Sequence, residues 1–131
     1  MEIQKNILIV DDDDNFLEIF SAKLKAAGFD VKTAEGGENG VKAAKAIKPD
    51  MILMDMEMPD LNGAAVTMKL KEDPVTKDIK IVFLTNYGDP RIDAKNTDIH
   101  FSKELGAFDY LRKTDDLDST VSRVKEILGV E

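Results

Sequence analysis

The chain has 131 residues, no cysteine, one histidine and a formal net charge of −8. This size indicates one domain with a core of its own, and the composition excludes thiolate metal centres and argues against an ordinary zinc site. The acidic balance argues against direct binding of nucleic acid, which requires a basic surface. Because the longest apolar stretch is too short to span a membrane and the N-terminus lacks signal-peptide character, we expect a cytoplasmic protein.

Short apolar segments alternate with helical patterns along the chain, which is typical of an α/β fold. The first predicted strand, Ile7–Val10, and the third, Met51–Met54, are continuously apolar, as expected for strands buried on both faces of a parallel sheet. Between them, Asp30–Ala34 alternates polar and apolar residues, which indicates a less buried strand at an edge of the sheet. Two further strands are predicted at Ile79–Leu84 and Tyr110–Arg112.

Helical patterns occupy the segments that follow these strands. Either Asp13 or Asp14 can cap the first helix, in which apolar residues recur at helical spacing. The other helices are expected, in chain order, near Glu38–Ile47, near Ala64–Lys71, within Ile99–Leu105 and along the apolar stripe Leu117–Leu128. Five parallel strands and about five helices predict a doubly wound α/β sheet. We expect a single domain over residues 1–131, with its core at about 4–128, and no attached output domain.

Polar side chains follow the strands at the points where they end. Asp11 and Asp12 come directly after the first strand, and Asp55 directly after the third. Ligands of such sheets gather outside the carboxyl ends of the strands, and clustered carboxylates require protons or a cation to offset their repulsion. Hard oxygen ligands in an open site suit Mg²⁺. Thr85 and Lys113 add a hydroxyl and an ammonium to the same edge, a set of groups suited to phosphoryl transfer onto a carboxylate.

Four sequence motifs in this order resemble those of the receiver domain of bacterial response regulators, over about residues 4–128. The motifs are Val-Asp-Asp-Asp at 10–13, Met-Asp-Met-Glu-Met-Pro-Asp-Leu-Asn-Gly at 54–63, Phe-Leu-Thr-Asn at 83–86 and Gly-Ala-Phe-Asp-Tyr-Leu-Arg-Lys at 106–113. The resemblance implies a single-domain, CheY-like protein with a flavodoxin-like parallel sheet of order 2-1-3-4-5. Such a protein is not an enzyme, apart from its own phosphorylation and dephosphorylation.

The resemblance also implies a role for each candidate residue. Asp55 would accept a phosphoryl group from the phosphohistidine of a histidine kinase, with Thr85 and Lys113 holding the phosphoryl oxygens. Thr85 and Tyr110 would act as switch residues, with Tyr110 turning inward as Thr85 moves toward the phosphoryl group, and would alter a protein-interaction surface near the fourth helix and the fifth strand. The implied ligands of Mg²⁺ are Asp11, Asp12, Asp55 and the backbone carbonyl of Glu57. The implied partners are a histidine kinase or phosphotransfer protein upstream and a protein target downstream, and the chain would be a monomer or weak dimer.

Two features depart from the pattern of this family. Lys113 is followed by Thr114 where the family usually has proline, and a cis bond before a residue other than proline costs about 2.5–4 kcal/mol. The segment between Thr85 and Lys113 is longer than usual, with its extra residues within 88–101. We therefore expect intact acceptor chemistry and an unusual signalling face. These departures leave open a pseudo-receiver, a binding module that signals without phosphate.

A second alternative is a haloacid-dehalogenase-like phosphatase, with Asp11 as its nucleophile and Asp13 as its acid–base group. The spacing of these two aspartates suits such a phosphatase, but Asn15 stands where Thr or Val is expected. The chain is also short for that fold with a cap domain. Turnover of a small phosphomonoester would distinguish this enzyme from a signalling module.

Overall fold

The computed structural model describes residues 4–85, 108–113 and 116–130. The elements, in chain order, are β1 (Asn6–Asp11), α1 (Asp14–Ala26), β2 (Asp30–Glu35), α2 (Gly37–Ile47), β3 (Met51–Asp55), α3 (Gly63–Glu72), β4 (Lys80–Thr85), β5 (Asp109–Arg112) and α4 (Leu117–Leu128). The five strands form one parallel sheet in the order β2-β1-β3-β4-β5. The predicted doubly wound α/β fold is thus confirmed, with four helices in the described part of the chain.

Several sequence-based expectations fall outside the described residues. These are the helix within Ile99–Leu105, the extra residues at 88–101, and Thr114 together with its bond to Lys113. The bounds predicted for the other elements differ from the observed ones by at most one residue at each end, because the apolar pattern marks the centre of an element better than its ends.

The core lies on both faces of the sheet, because successive side chains of a strand point to opposite faces. Ile7 and Ile9 of β1 pack in a cluster with Phe20 of α1. Leu8 and Val10, the alternate residues of the same strand, pack in a second cluster with residues of α2 and α3. This arrangement explains the continuous apolar sequence of β1, all of which is buried after Asn6.

Strand β2 lies at an edge of the sheet, as its alternating sequence predicted. Among the described strands its only partner is β1, while β1 also pairs with β3. Val31 and Ala34 are buried, whereas Lys32 and Thr33 between them are exposed. Position in the sheet therefore accounts for the difference between the sequences of β2 and the central strands.

The sheet register brings the carboxyl ends of four strands together. Val10 is paired with Met54, so the residues that follow β1 and the last residue of β3 lie at the same edge. Asp55 is paired with Leu84, and Thr85 with Arg112, which places the ends of β4 and β5 beside it. Over the described ranges, no helix is both long enough and apolar enough to cross a membrane.

Candidate functional site

Three carboxylates meet where β1 and β3 end. One carboxylate oxygen from each of Asp11, Asp12 and Asp55 lies within 4.8 Å of the others. Asp11 is fully buried and Asp55 is 3% exposed, while Asp12 is open to solvent. The cluster predicted from the strand ends is therefore present, with one side in the protein and one side in water.

Lys113 provides the positive charge in this cluster. Its Nζ lies 2.7 Å from Oδ2 of Asp11 and 3.2 Å from Oδ1 of Asp55. The backbone N–H of Lys113 donates a hydrogen bond of 2.8 Å to the carbonyl of Thr85, so the pairing of β4 with β5 places this lysine at the edge of the sheet. With 13% of its side chain exposed, Lys113 forms a largely buried ionic bridge between the ends of β1 and β3.

Burial and like charges act against the ionised form of Asp55. Burial is the largest cause of a raised pKa at Asp55, followed by the negative charge of Asp11, and Asp12 adds to the effect. Lys113 lowers the pKa, but the net result is a pKa of about 7. For Lys113, burial lowers the pKa, but the carboxylates of Asp11 and Asp55 outweigh it and raise the pKa above the ordinary lysine value. The ammonium is thus held in its charged form beside a carboxyl group that binds protons readily.

The acidic cluster suits a hard divalent cation. Oδ1 of Asp11 accepts a hydrogen bond of 2.9 Å from the backbone N–H of Asp13. Oδ2 of Asp11 is buried, and no hydrogen bond of good geometry from the described residues reaches it, although Lys113 is in ionic contact. Buried carboxylate oxygens with spare acceptor capacity are the donors that Mg²⁺ prefers. Glu57 is exposed, and its backbone N–H donates a hydrogen bond of 3.3 Å to Oδ1 of Asp55, so this residue also adjoins the cluster.

The two predicted switch residues lie on neighbouring strands. Thr85 ends β4 and is 4% exposed, and its hydroxyl donates a long hydrogen bond of 3.5 Å to the carbonyl of Leu111. Tyr110 of β5 is 8% exposed and packs in the same core cluster as Phe83. The ring of Tyr110 is therefore already turned into the protein. The hydroxyl of Thr85 makes only a weak hydrogen bond, which costs little to break.

Three residues at the site were not predicted from the sequence. The ring of Phe16 lies over Lys113, with its centroid 4.8 Å from Nζ. At Gly63, a Cβ atom would lie 2.4 Å from the carbonyl oxygen of Asp55. Asp60 accepts hydrogen bonds of 3.0 Å and 3.1 Å from the two backbone N–H groups that begin α2, which ties the loop after β3 to that helix. The apolar spacing of Phe16 and the turn residues of the loop gave only local signals, whereas these contacts depend on tertiary structure.

The aspartates after β1 have different roles. Oδ1 of Asp13 accepts hydrogen bonds from the backbone N–H groups of Asn15 and Phe16 and caps α1, so of the two candidate caps the structure selects Asp13. Asp14 is the first residue of the helix. Asp11 and Asp12 of the acidic cluster and Asp13 of the helix cap are thus consecutive residues of a single acidic run.

Comparisons with known proteins show the family and the fold that this chain shares. The family described as the response regulator receiver domain matches residues 7–125. Protein PilH of Pseudomonas aeruginosa is 36% identical over 123 residues, which are 94% of this chain and 97% of PilH. A CheY-like response regulator receiver domain protein from Methanospirillum hungatei superposes with a TM-score of 0.82 at 26% identity, covering 97% of this chain and 95% of that chain.

Other relatives are longer than this chain. The DNA-binding dual master transcriptional regulator RpaA of Synechocystis is 34% identical over 122 residues, which are 93% of this chain. The chain spans about half the length of RpaA, namely 48%. The similarity to RpaA therefore covers one part of that protein.

Proposed function

This chain belongs to the response regulator receiver domain family, and from this premise we propose that Asp55 accepts a phosphoryl group from the phosphohistidine of a histidine kinase or phosphotransfer protein. The observation that carries the proposal is the contact of Lys113 Nζ with both Asp11 and Asp55 at the edge of the sheet. A fixed ammonium beside a buried carboxylate is suited to stabilising charge on a transferred phosphoryl group.

In the proposed reaction, a carboxylate oxygen of Asp55 forms a bond to phosphorus while the bond from phosphorus to the histidine nitrogen breaks. The electron pair of the broken bond stays on the imidazole. Lys113 favours the ionised form of Asp55 needed for attack, and it can pair with a phosphoryl oxygen afterwards. Asp11, Asp12, Asp55 and the backbone carbonyl of Glu57 would hold Mg²⁺. When bound, this cation would offset the negative charge of the phosphoryl oxygens. Water later breaks the bond between phosphorus and the Asp55 oxygen, which releases inorganic phosphate.

The aspartyl phosphate is proposed to act as a switch. It adds negative charge at the end of β3, where the hydroxyl of Thr85 can exchange its long hydrogen bond to Leu111 for a phosphoryl oxygen. Tyr110, on the strand beside Thr85, would carry the change to a protein-interaction surface near β5 and the helix predicted within Ile99–Leu105, a helix that lies outside the described residues. We further propose that residues 1–131 form a single cytoplasmic receiver domain that is a monomer or weak dimer.

The phosphatase alternative is set aside. It requires Asp13 as an acid–base group beside a nucleophilic Asp11, but the carboxylate of Asp13 is committed to the backbone N–H groups of α1. Its neighbour Asp11 is fully buried and paired with Lys113. The pseudo-receiver alternative makes a different prediction, namely that the chain forms no phosphoryl adduct, and the following experiment tests it.

The experiment measures the intact mass of the chain after incubation with acetyl phosphate and MgCl₂. We expect one phosphoryl adduct on the native chain, no adduct on Asp55→Asn, and none on the native chain in excess EDTA. Asp50→Asn is the matched control, because Asp50 adjoins the opposite end of β3, where it accepts a hydrogen bond from the backbone N–H of Asn6. Asp50→Asn should form the adduct normally. A native chain that forms no adduct and binds no beryllofluoride would instead be a pseudo-receiver.

A further inference from the structure

The ammonium of Lys113 lies between two kinds of group. Asp11 and Asp55 approach it from the sheet, at 2.7 Å and 3.2 Å from Nζ. The ring of Phe16 in α1 covers it with a centroid distance of 4.8 Å, which is within the range of a cation–π contact. The carboxylates account for the charge of the cluster, but they do not explain why an aromatic ring faces the cation.

The position of the Phe16 ring is fixed by local structure. Asp13 caps α1 by accepting a hydrogen bond of 3.2 Å from the backbone N–H of Phe16, which places this residue in the first turn, directly after the acidic run. One turn later, the ring of Phe20 meets that of Phe16 edge-on, with centroids 5.1 Å apart and an interplanar angle of 80°. Phe20 is only 2% exposed and belongs to the core. The cap and the core residue together hold the Phe16 ring over Lys113.

We propose that Phe16 is a positioning residue that holds the Lys113 ammonium against Asp11 and Asp55 by a cation–π contact and thereby speeds phosphorylation of Asp55. The inference rests on the proposed function, because it assigns Phe16 an effect on the reaction of that site. The ring limits the directions in which a flexible lysine side chain can leave the cluster. A cation that is already placed loses less conformational freedom when the phosphoryl group arrives.

An aliphatic residue at position 16 would fill space against the core without offering a π face. Phe16→Leu therefore removes the cation–π contact and keeps apolar packing, whereas Phe16→Tyr keeps both. We expect Phe16→Leu to be phosphorylated by acetyl phosphate about three- to tenfold more slowly than the native chain, a range that follows from the usual strength of such contacts. Phe16→Tyr should stay within about twofold of the native rate by the same reasoning.

Phe108→Leu is the matched control. Phe108 lies under another lysine, Lys80, at 5.0 Å from Nζ to the ring centroid, but Lys80 begins β4 at the end of the sheet opposite the acidic cluster. This variant removes a cation–π contact of the same kind from elsewhere in the chain. Its phosphorylation rate should equal that of the native chain.

A second readout does not depend on phosphorylation. Because Nζ of Lys113 lies over the Phe16 ring, we expect an upfield shift of the resonances of the Lys113 ε-methylene protons in the native chain and in Phe16→Tyr, and no such shift in Phe16→Leu. Circular dichroism and the urea midpoint establish that each variant is folded, and Phe16→Met replaces Phe16→Leu if the latter does not fold.

The outcomes separate this inference from the proposed function. If the native chain forms no adduct, the proposed function is overturned, and the role of Phe16 in that reaction is overturned as well. A native chain that reacts, with Phe16→Leu reacting equally fast, overturns only the role of Phe16. If Phe16→Leu and Phe16→Tyr lose phosphorylation rate equally, the effect does not follow the cation–π contact and Phe16 serves packing alone. This result would also overturn the positioning role of Phe16.

Discussion

At Asp55, folding and the proposed chemistry make opposite demands on one carboxyl group. The group is 3% exposed, and its burial and the neighbouring Asp11 raise its pKa from 3.8 to about 7. The folded chain therefore binds this proton more tightly than the unfolded chain does. Such a group contributes stability that is fully present below about pH 4 and is lost as the pH rises through about 7. Phosphoryl transfer nevertheless needs the ionised carboxylate.

We expect Asp55→Asn to be more stable than the native chain at pH 8 in the absence of metal, and to lose the part of the pH dependence that Asp55 causes. Relative to this variant, the native chain should lose on the order of 3 kcal/mol of unfolding free energy between pH 4 and pH 8. Urea unfolding in EDTA at several pH values measures the difference. Subtracting the unfolding free energies of the two chains removes the contributions of the other carboxyl groups, which both chains share. If the unfolding free energies of both chains change in parallel with pH, the raised pKa of Asp55 is contradicted.

At the scale of elements, the sequence predicts the strands better than the contacts around them. The ends of β1 and β3 were predicted to within one residue, because an apolar run that stops at a carboxylate is a local signal, and Asp11 and Asp55 follow from it directly. The contact of Asp60 with α2 could not be predicted, since its partners, the N–H groups of Gly37 and Glu38, lie in a different part of the chain. The ring of Phe16 over Lys113 was missed for the same reason.

The start of α3 is packed directly against the main chain that carries Asp55. At Gly63, the first residue of this helix, a Cβ atom would lie 2.4 Å from the Asp55 carbonyl oxygen and 3.0 Å from Cα of Met56. Because both neighbours are backbone atoms, Gly63→Ala must displace the strand end or the helix. We expect a loss of about 1–3 kcal/mol in unfolding free energy, although alanine is the better helix former. Phosphorylation should slow as the Asp55 main chain moves.

Gly40→Ala is the control for this prediction. Its Cβ atom would lie 2.7 Å from Cγ1 of Val10, so α2 must move against a side chain of β1 rather than against the main chain of β3. This variant should also lose stability in urea unfolding, with a smaller effect on the phosphorylation rate per unit of stability lost. If Gly63→Ala has the stability and the phosphorylation rate of the native chain, the end of β3 can move to accommodate the added methyl group without loss of free energy, and the prediction is contradicted.

At the scale of the whole molecule, the acidic residues have two explanations. The net charge of −8 serves solubility, which would require only that the carboxylates be spread over the surface. The cluster of Asp11, Asp12 and Asp55, by contrast, concentrates negative charge at one edge of the sheet, where the ends of β1 and β3 meet. Because a cation bound there would contact only the folded chain, its binding would stabilise every element at once.

We therefore expect MgCl₂ to raise the melting temperature of the native chain by several degrees. A ligand present at 100 times its dissociation constant adds about 2.7 kcal/mol to the unfolding free energy. Asp12→Asn should lose most of this increase while remaining folded in EDTA, because Asp12 is exposed and belongs to the cluster. Asp14→Asn, an exposed neighbour that begins α1, should keep the increase.

The control for general screening is NaCl at the same ionic strength, which weakens repulsion among all surface carboxylates without binding at one site. An equal increase in melting temperature with NaCl, or a full response to MgCl₂ in Asp12→Asn, would mean that the acidic residues act through net charge. A response specific to MgCl₂ that depends on Asp12 would instead mean that three of the many carboxylates form a site. The same cation would then link the stability of the whole fold to the edge of the sheet where Asp55 is proposed to react.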